Sequence, residues 1–535
     1  MSYYVTTPIF YVNDAPHIGH GYTTVMGDVL TRWHRQRGED VWYLTGTDEH
    51  GQKVLRRAEQ NGVSPKEWTD RLVESEWLPV LDTLDIANDD FIRTTEERHT
   101  LGSQAFWRDL YERGEVYKGS FSGWYSVGSE EFVGDDDVAD GEDDDEGHKV
   151  SALDGSRLEW VTEENYFFPL SKYADQLLQL YRENPDFIQP ASARNEIISF
   201  VERGLKDLSI SRSTFDWGVP VPWDTSHVMY VWIEALLNYV TAAGYGVDDE
   251  RFDRLWPADV HIVGKDIARF HAVIWPAMLM AAGRPVPHRV FAHGWLLVGG
   301  QKMSKSKANG IRPDELVDVF GSDAYRYYFS RALTFGADGS ISWEDIRARY
   351  HAELANGFGN LASRVAGMIG KYFGGELPAA GAPSAAETEL QATVAEASRA
   401  ADEAIERIAP QDALTQVWRI VDDLNGYLTD QAPWLVAKEV NTGGGAGPQA
   451  ADSASERLAT ILNTAAEGLR VLAVLLNPVM PKACASLWDS LGAEPTLGPL
   501  ADQRIDDVAT WGQLAPGSTI TKVPSLFPRI EDEDA

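Results

Sequence analysis

The beginning of the chain alternates between strand-like and helix-like segments, and this order limits the folds open to it. The segment YYVTTPIFYV (3–12) is rich in β-branched and aromatic residues and predicts a strand. Apolar residues then recur at helical spacing from Tyr22 to Trp33, before a second predicted strand, DVWYLTGT (40–47). This order predicts an α/β fold with a Rossmann-like, doubly wound parallel sheet, in which ligands bind beyond the carboxyl ends of the strands.

The pattern changes between residues 117 and 222, where an inserted subdomain is predicted. Its stretch GDDDVADGEDDDEG carries nine acids and predicts a solvated acidic loop. A calcium loop is the alternative, but the EF-hand spacing fails. With Gly141 as the central glycine, Val138 would occupy a ligand position and Gly147 the place of the closing glutamate.

The sheet pattern resumes in DVHIVGKD (259–266) and HRVFAHGWLLVGG (288–300), and alanine- and leucine-rich helical segments dominate from about residue 350. We therefore expect five segments: a first sheet half (1–116), an inserted connective subdomain (117–222), a second sheet half (223–300), a lysine-loop region (301–349) and an all-α bundle with a short tail (350–535).

Composition narrows the class of protein. The single cysteine, Cys484, excludes a disulfide framework and a cysteine zinc site. The apolar run 469–480 is shorter than the roughly 20 residues of a membrane span, and the N-terminus lacks a basic signal region. We therefore expect a cytoplasmic protein without a membrane partner. The net charge of −35 lowers the expectation of a nucleic-acid partner, although local patches decide binding.

One loop is basic although the chain as a whole is acidic. VGGQKMSKSKANG (298–310) contains Lys302, Lys305 and Lys307 and no acid. Lysines on flexible stems suit a triphosphate whose charge moves during reaction, and the flanking glycines would let the loop close and reopen. The alternative is a solvated basic loop.

A second motif, PHIGHG, places His17, Gly19 and His20 between the first strand and the first helix. A helix N-terminus favours phosphate, two imidazoles add donors, and a glycine leaves room for an adenine ring. Alone, the motif is weak. Both motifs follow strands that end at the same predicted edge of the sheet, so together they predict one triphosphate site.

The HIGH and KMSKS motifs resemble those of the class I aminoacyl-tRNA synthetases. TTPIFYVNDAPHIGH, TGTDEHG, SISR, YVWIEALLNY, VGKDIARFHAVIWPAML and AHGWLLVGGQKMSKS extend the resemblance, over nearly the whole chain, to the methionyl branch of that family. The resemblance implies a ligase that activates L-methionine with ATP and Mg²⁺ to methionyl-adenylate. It would then transfer the methionyl group to tRNA(Met), releasing AMP and diphosphate, in translation initiation and elongation.

The resemblance also implies three sets of site residues. The ATP set is His17, Gly19, His20, Asp266, His293, Gly294, Lys302 and Lys305, of which His17, His20, Lys302 and Lys305 would be catalytic. The methionine set is Ile9, Tyr11, Asp48, Arg212, Trp232, Ala235, Tyr239, His271 and Trp275. Asp48 would meet the substrate ammonium, and aromatic walls suit a polarizable thioether. The anticodon set is Asn360, Arg364 and Trp434.

Many relatives carry zinc-binding cysteines in the inserted subdomain, but SGWYSVGSEEFVGDDD has none, so we expect no structural zinc. No appended dimerisation domain follows the bundle, and a monomer is expected. The rival functions are a class I ligase for leucine, isoleucine, valine or cysteine, a small nucleotidylyltransferase, and an inactive tRNA-binding paralogue. Enzymes for leucine, isoleucine and valine normally carry a large editing insertion, and enzymes for cysteine carry metal-binding cysteines. Both phosphate motifs are intact, which argues against an inactive paralogue.

Overall fold

A computed structural model describes residues 2–126, 130–133, 138–143, 148–152, 155–298, 301–302, 311–441 and 448–530. The chain forms two compact units, each assembled from separate stretches of sequence. Unit 1 comprises Met1–Gly27, Asp40–Asp82 and Ala87–His293, and unit 2 comprises Asp28–Glu39, Thr83–Ile86 and Gly294–Ala535.

Unit 1 contains both strands and helices. Its strands are β1 (Tyr3–Tyr11), β2 (Val41–Asp48), β3 (Asp90–Arg93), β4 (Tyr117–Ser126), β5 (Glu131–Val133), β6 (Val138–Asp143), β7 (Lys149–Ser151), β8 (Leu158–Phe168), β9 (Ile188–Gln189), β10 (Leu208–Ser209), β11 (Ser211–Arg212), β12 (Pro220–Val221), β13 (Asp224–Met229), β14 (Val260–Gly264) and β15 (Val290–His293). Its helices are α1 (Ile18–Gln36, ending in unit 2), α2 (Gln52–Gln60), α3 (Pro65–Leu72), α4 (Leu78–Thr83), α5 (Glu97–Glu112), α6 (Ala174–Glu183), α7 (Ala191–Glu202), α8 (Val231–Leu236), α9 (Asn238–Ala243), α10 (Asp249–Leu255) and α11 (Trp275–Ala281), with π-helical turns at Val73–Trp77 and Phe270–Ile274.

The predicted sheet is confirmed. Six strands run parallel in the order β3-β2-β1-β14-β15-β9. Tyr11 lies opposite Asp48 at the ends of β1 and β2, and Gly264 lies opposite His293 at the ends of β14 and β15. Parallel strands therefore deliver all four residues to the carboxyl edge of one sheet, where ligands of such folds bind.

The predicted insertion contains an antiparallel sheet in the order β10-β8-β4-β5. The prediction of a loop for the acidic stretch is wrong at residues 138–143, which form β6 and pair with β7 just after the stretch, while 134–137 and 144–147 lie outside the described residues. Within the described ranges of the chain, no group of three or more His, Cys, Asp or Glu side chains is arranged to hold a metal ion.

Unit 2 is mainly helical, as predicted for its C-terminal part. Its strands are β16 (Leu296–Val298), β17 (Gln301–Lys302) and β18 (Gly339–Ile341). Its helices are α12 (Pro313–Phe320), α13 (Ser322–Arg331), α14 (Trp343–Arg349), α15 (Asn360–Phe373, continuing a π-helical Tyr350–Gly359), α16 (Ala385–Glu406), α17 (Pro410–Gln431), α18 (Pro433–Asn441), α19 (Pro448–Leu476), α20 (Pro481–Ser490) and α21 (Glu494–Leu497). Within the predicted sheet segment 288–300, the described residues contain two strands of different sheets, β15 and β16.

One helix is long and apolar enough to cross a membrane by length and composition. It spans Asp452–Leu476, and its apolar window is entirely buried inside the protein. An apolar helix surrounded by other elements is typical of a helical core. In unit 2 it packs against α17 and α18.

Candidate functional site

The histidine turn is ordered by hydrogen bonds to its own backbone. The His17 N–H donates to His20 Nδ1 at 3.0 Å, and the Gly19 N–H donates to His17 Nδ1 at 3.1 Å. The two rings stack with centroids 3.8 Å apart. Because both Nδ1 atoms accept, the proton of each neutral imidazole lies on Nε2, which makes each ring an N–H donor at the N-terminus of α1.

Two buried aromatic residues support this turn. His20 packs edge-on against Phe10 with ring centroids 5.1 Å apart, and lies 5.0 Å from the ring of Trp77. Phe10 and Trp77 stack on each other at 5.3 Å. Trp77 ends a π-helical turn, and such turns occur frequently at functional sites.

Asp48, at the carboxyl end of β2, has an incomplete set of hydrogen bonds. The residue is only 5% exposed, and its Oδ1 has no partner among the described residues. Burial, followed by the charges of Glu234 and Glu130, raises the pKa of this carboxyl well above its ordinary value. A buried carboxylate near two other acids is a site for a cation.

Tyr11 is held by a residue of the insertion that the sequence did not identify. Its hydroxyl donates to Glu130 Oε2 at 2.7 Å, while Glu130 Oε1 accepts the Lys53 N–H at 2.7 Å. Gly51, with φ +100°, lies beside this contact, and a Cβ there would come within 2.9 Å of the Tyr11 hydroxyl. Glycine is thus required at this position.

A second buried network involves Tyr239 and two histidines. His271 Nδ1–H donates to the Ile267 carbonyl at 3.0 Å, so its Nε2 accepts the Tyr239 hydroxyl at 2.7 Å. Burial lowers the pKa of His271 to about 4, and the ring is neutral near pH 7. Trp275 Nε1–H donates to His261 Nε2 at 3.2 Å, and His261 stacks on Tyr239 at 4.2 Å.

The remaining predicted methionine residues lie on neighbouring elements of unit 1. Trp232 on α8 stacks on Phe270 with centroids 4.6 Å apart, and Ala235 is buried on the same helix. Ile9 on β1 is half-buried against the main core. Arg212 is buried on β11, with its guanidinium carbon 4.0 Å from the ring centroid of Tyr230 and Nη1 donating to the Ser211 carbonyl at 2.7 Å.

Three predicted ATP residues lie at the end of β15 or just after β14 and β15. His293 Nε2 lies 2.8 Å from Thr23 Oγ1 on α1, which links the end of β15 to the histidine turn. Asp266 is exposed in the turn after β14. Gly294 allows a close approach, because a Cβ there would lie 2.1 Å from the Ala337 carbonyl carbon.

The lysine loop is largely outside the described residues. Lys302 ends β17, where only the backbone is described, and Lys305 and Lys307 fall in the range 303–310. The predicted approach of these lysines to His17 and His20 therefore stays a prediction.

The predicted anticodon residues lie on two helices of unit 2. Asn360 and Arg364 stand one turn apart on α15, and Trp434 is the second residue of α18. The Arg364 guanidinium carbon lies 5.9 Å from the Trp434 ring centroid. Trp434 is 37% exposed, so an indole face and a cation are presented together.

Two family models cover nearly the whole chain. Residues 3–366 match "tRNA synthetases class I (M)", and residues 377–535 match "Anticodon binding domain of methionyl tRNA ligase". The chain belongs to the methionyl class I tRNA synthetases. The methionine–tRNA ligase of Streptomyces coelicolor is 59% identical over 100% of this chain and 98% of its own, and that of Thermotoga maritima is 44% identical over 100% and 81%.

A solved synthetase of this family has the same fold. The structure of Mycobacterium tuberculosis methionyl-tRNA synthetase in complex with methionyl-adenylate matches with a TM-score of 0.92 and 41% identity, covering 99% of this chain and 100% of that chain. Against this family background, Glu130, Glu234 and His261 are residues that sequence reasoning missed. Glu130 lies in the predicted insertion just before the acidic stretch, and His261 lies in a strand without a motif, so no pattern distinguished these two residues.

Proposed function

We propose that this chain is an ATP-dependent methionine–tRNA ligase. It activates L-methionine with ATP to methionyl-adenylate, transfers the methionyl group to tRNA(Met), and releases AMP and diphosphate. The observation that carries the proposal is the buried Oδ1 of Asp48 at the carboxyl edge of the parallel sheet, which has no hydrogen-bond partner in the part of the chain that the structure describes. This oxygen is a ready acceptor for the ammonium group of an amino acid.

We propose that the methionine side chain lies among Ile9, Tyr11, Trp232, Ala235, Tyr239, His271 and Trp275. Thioether sulfur packs well against aromatic rings, which are numerous here. Because Tyr239 donates to His271 and Tyr11 donates to Glu130, both hydroxyls are already committed within the protein. These two hydrogen bonds orient the rings of Tyr11 and Tyr239, while Trp275 would repack when methionine enters.

ATP would lie at the histidine turn. We propose that the Nε2–H groups of His17 and His20 donate to phosphate oxygens, with Gly19, Asp266, His293 and Gly294 around the nucleotide. Lys302 and Lys305 would stabilise the diphosphate that leaves when the methionine carboxylate attacks the α-phosphorus. The protein forms no covalent bond, so positioning and charge stabilisation provide the rate enhancement. Mg²⁺ would accompany ATP and share the phosphate charge.

We propose that Asn360, Arg364 and Trp434 read the anticodon. Single-stranded bases are recognised by stacking on aromatic rings and guanidinium planes, and Trp434 with Arg364 offers both. The domains would correspond to the five segments 1–116, 117–222, 223–300, 301–349 and 350–535, and the last segment would be the anticodon-binding bundle. We further propose that Arg212 lies near the substrate ammonium, that the enzyme works in the cytoplasm as a monomer, and that it needs no structural zinc.

Amino-acid-dependent ATP–diphosphate exchange tests the proposed function. Exchange is expected with methionine, and charging of tRNA(Met) is expected when tRNA is added. Exchange with leucine, isoleucine, valine or cysteine in place of methionine would exclude the proposal, and so would a complete lack of exchange with every amino acid. Analytical ultracentrifugation and elemental analysis for zinc test the monomer and the absence of zinc.

A further inference from the structure

A buried ion pair lies behind the turn that carries Asp48. The Glu234 carboxylate on α8 is fully buried, and His50 Nδ1–H donates to both of its oxygens at 3.0 Å. His99 on α5 donates its Nε2–H to Glu234 Oε1 at 2.9 Å. Burial favours the neutral acid, but the charges and hydrogen bonds of His50 and His99 outweigh it and hold the pKa of Glu234 below its ordinary value.

His50 connects Glu234 to the turn that carries Asp48. It follows Asp48 by two residues in the turn after β2, and its side chain is held by Glu234. The His50 ring also packs edge-on against Trp217 at 5.1 Å, and Trp217 Nε1–H donates to the Glu49 carbonyl at 2.7 Å. The turn after β2 is therefore fixed by two separate anchors, one ionic and one aromatic.

We propose that His50, held by Glu234, is a positioning residue for the substrate ammonium group. It fixes the turn that carries Asp48, so that Oδ1 of the Asp48 carboxylate is directed at the ammonium. This inference rests on the proposed function, because it takes Asp48 as the ammonium acceptor. Without the imidazole, Glu234 Oε2 would lose its hydrogen-bond partner inside the protein, and a buried carboxylate in that state moves or takes up a proton.

The experiment compares three ligands that divide methionine into its parts. Methionine carries both charged groups, methioninol keeps the amine and lacks the carboxylate, and 4-(methylthio)butanoate keeps the carboxylate and lacks the amine. His50→Ala should weaken binding of methionine and methioninol about tenfold, the usual order for a hydrogen bond to a charged group. It should leave 4-(methylthio)butanoate within about twofold. Inhibition of diphosphate exchange and calorimetry measure these affinities.

Two further variants separate positioning from general structural support. His50→Asn keeps an N–H donor near the position of Nδ1 and should restore most of the lost affinity for methionine. His99→Gln changes the other imidazole on the same carboxylate and should lower Tm while methionine affinity stays within about twofold. If His50→Ala is unfolded, Glu234→Gln is the substitute, since it keeps the shape of the side chain and removes its charge.

Two results would overturn the inference. One is equal weakening of all three ligands by the His50 or Glu234 variant, and the other is an equal loss of methionine affinity in His50→Ala and His99→Gln. Asp48→Asn gives the separate check on the proposed function. If it fails to discriminate against the two amine-bearing ligands, the ammonium site itself is wrong, whatever His50 does.

Discussion

The turn at Asp48 and the start of α18 at Trp434 present their side chains in different ways. Asp48 is buried, and the turn that carries it is held by His50, Glu234 and Trp217. Trp434 is 37% exposed and has the Arg364 cation 5.9 Å from its ring centroid. The first arrangement is set by side-chain networks within unit 1, and the second by the backbone at a helix junction within unit 2.

The difference agrees with the ligands proposed for the two places, the amino acid at Asp48 and the anticodon at Trp434. A small charged substrate loses its water on binding, so each of its charged groups needs a partner fixed in advance. A single-stranded nucleotide loop brings flat bases that stack on an exposed ring, and its affinity is spread over several contacts. A single substitution in the pocket should therefore cause a large loss of activity, whereas a single substitution on the helical surface should cause a smaller one.

The largest effect is expected for Asp48→Asn. The amide has the same shape but leaves the substrate ammonium without a counter-charge, and breaking a buried ion pair costs about 3–5 kcal/mol. Methionine-dependent diphosphate exchange should fall at least about 100-fold in kcat/KM for methionine, with little change in the KM for ATP. Asp40→Asn, at an exposed position before β2, is the control. A loss shared equally by both substrates would contradict the assignment.

Trp434→Ala should have a smaller effect on a different reaction. Base–aromatic stacking is worth about 1–3 kcal/mol per base, so kcat/KM for tRNA(Met) should fall by about 5–100-fold. Diphosphate exchange should stay normal because it needs no tRNA. Leu435→Ala, at the next position and 51% exposed, is the matched control and should charge tRNA normally. If exchange falls as well, Trp434 supports the fold rather than the anticodon.

The sequence predicted the sheet and the motif-bearing turns because their patterns are local. The strand before PHIGHG and the strand ending at Asp48 match β1 and β2 closely. Sequence reasoning failed where function depends on distant contacts. Glu130 is 119 residues from Tyr11 and Glu234 is 184 residues from His50, and no periodicity joins residues so far apart. The acidic stretch misled for a different reason: β6 pairs with β7 in a local hairpin, but its aspartates and glycine are residues that strands disfavour.

Acid should destabilise the pocket through His271. Its folded-state pKa of about 4 lies below the ordinary value near 6.5, so the unfolded chain binds more protons between these values. The contribution of His271 to the free energy of unfolding is fully present above about pH 6.5. It is lost as the pH falls toward 4, by up to about 1.4 kcal/mol per pH unit for one group.

Denaturant unfolding at pH 7.5, 6.0 and 5.0 measures this dependence. His271→Asn should flatten the slope below pH 6.5 and leave the slope above it unchanged. Asp48 has the opposite effect, because its raised pKa favours the folded state in acid. The test is therefore the difference in slope between the variant and the parent protein, not the slope of either one alone. Equal slopes in the two proteins would mean that His271 is protonated in the folded state.

The smallest effect concerns the backbone that presents Trp434. Ala432 ends α17 in the left-handed region, with φ 41° and ψ 59°, and its carbonyl accepts the Leu435 N–H at 2.7 Å as α18 begins. An L-residue in this region costs about 1–2 kcal/mol, whereas glycine adopts it freely but loses more entropy on folding. Ala432→Gly should therefore raise the free energy of unfolding by about 0.5–1 kcal/mol, and Ala432→Val should lower it. Because the glycine variant keeps the same junction, tRNA charging should stay within about twofold; a larger loss would mean that the alanine side chain, and not only the turn, orients the indole.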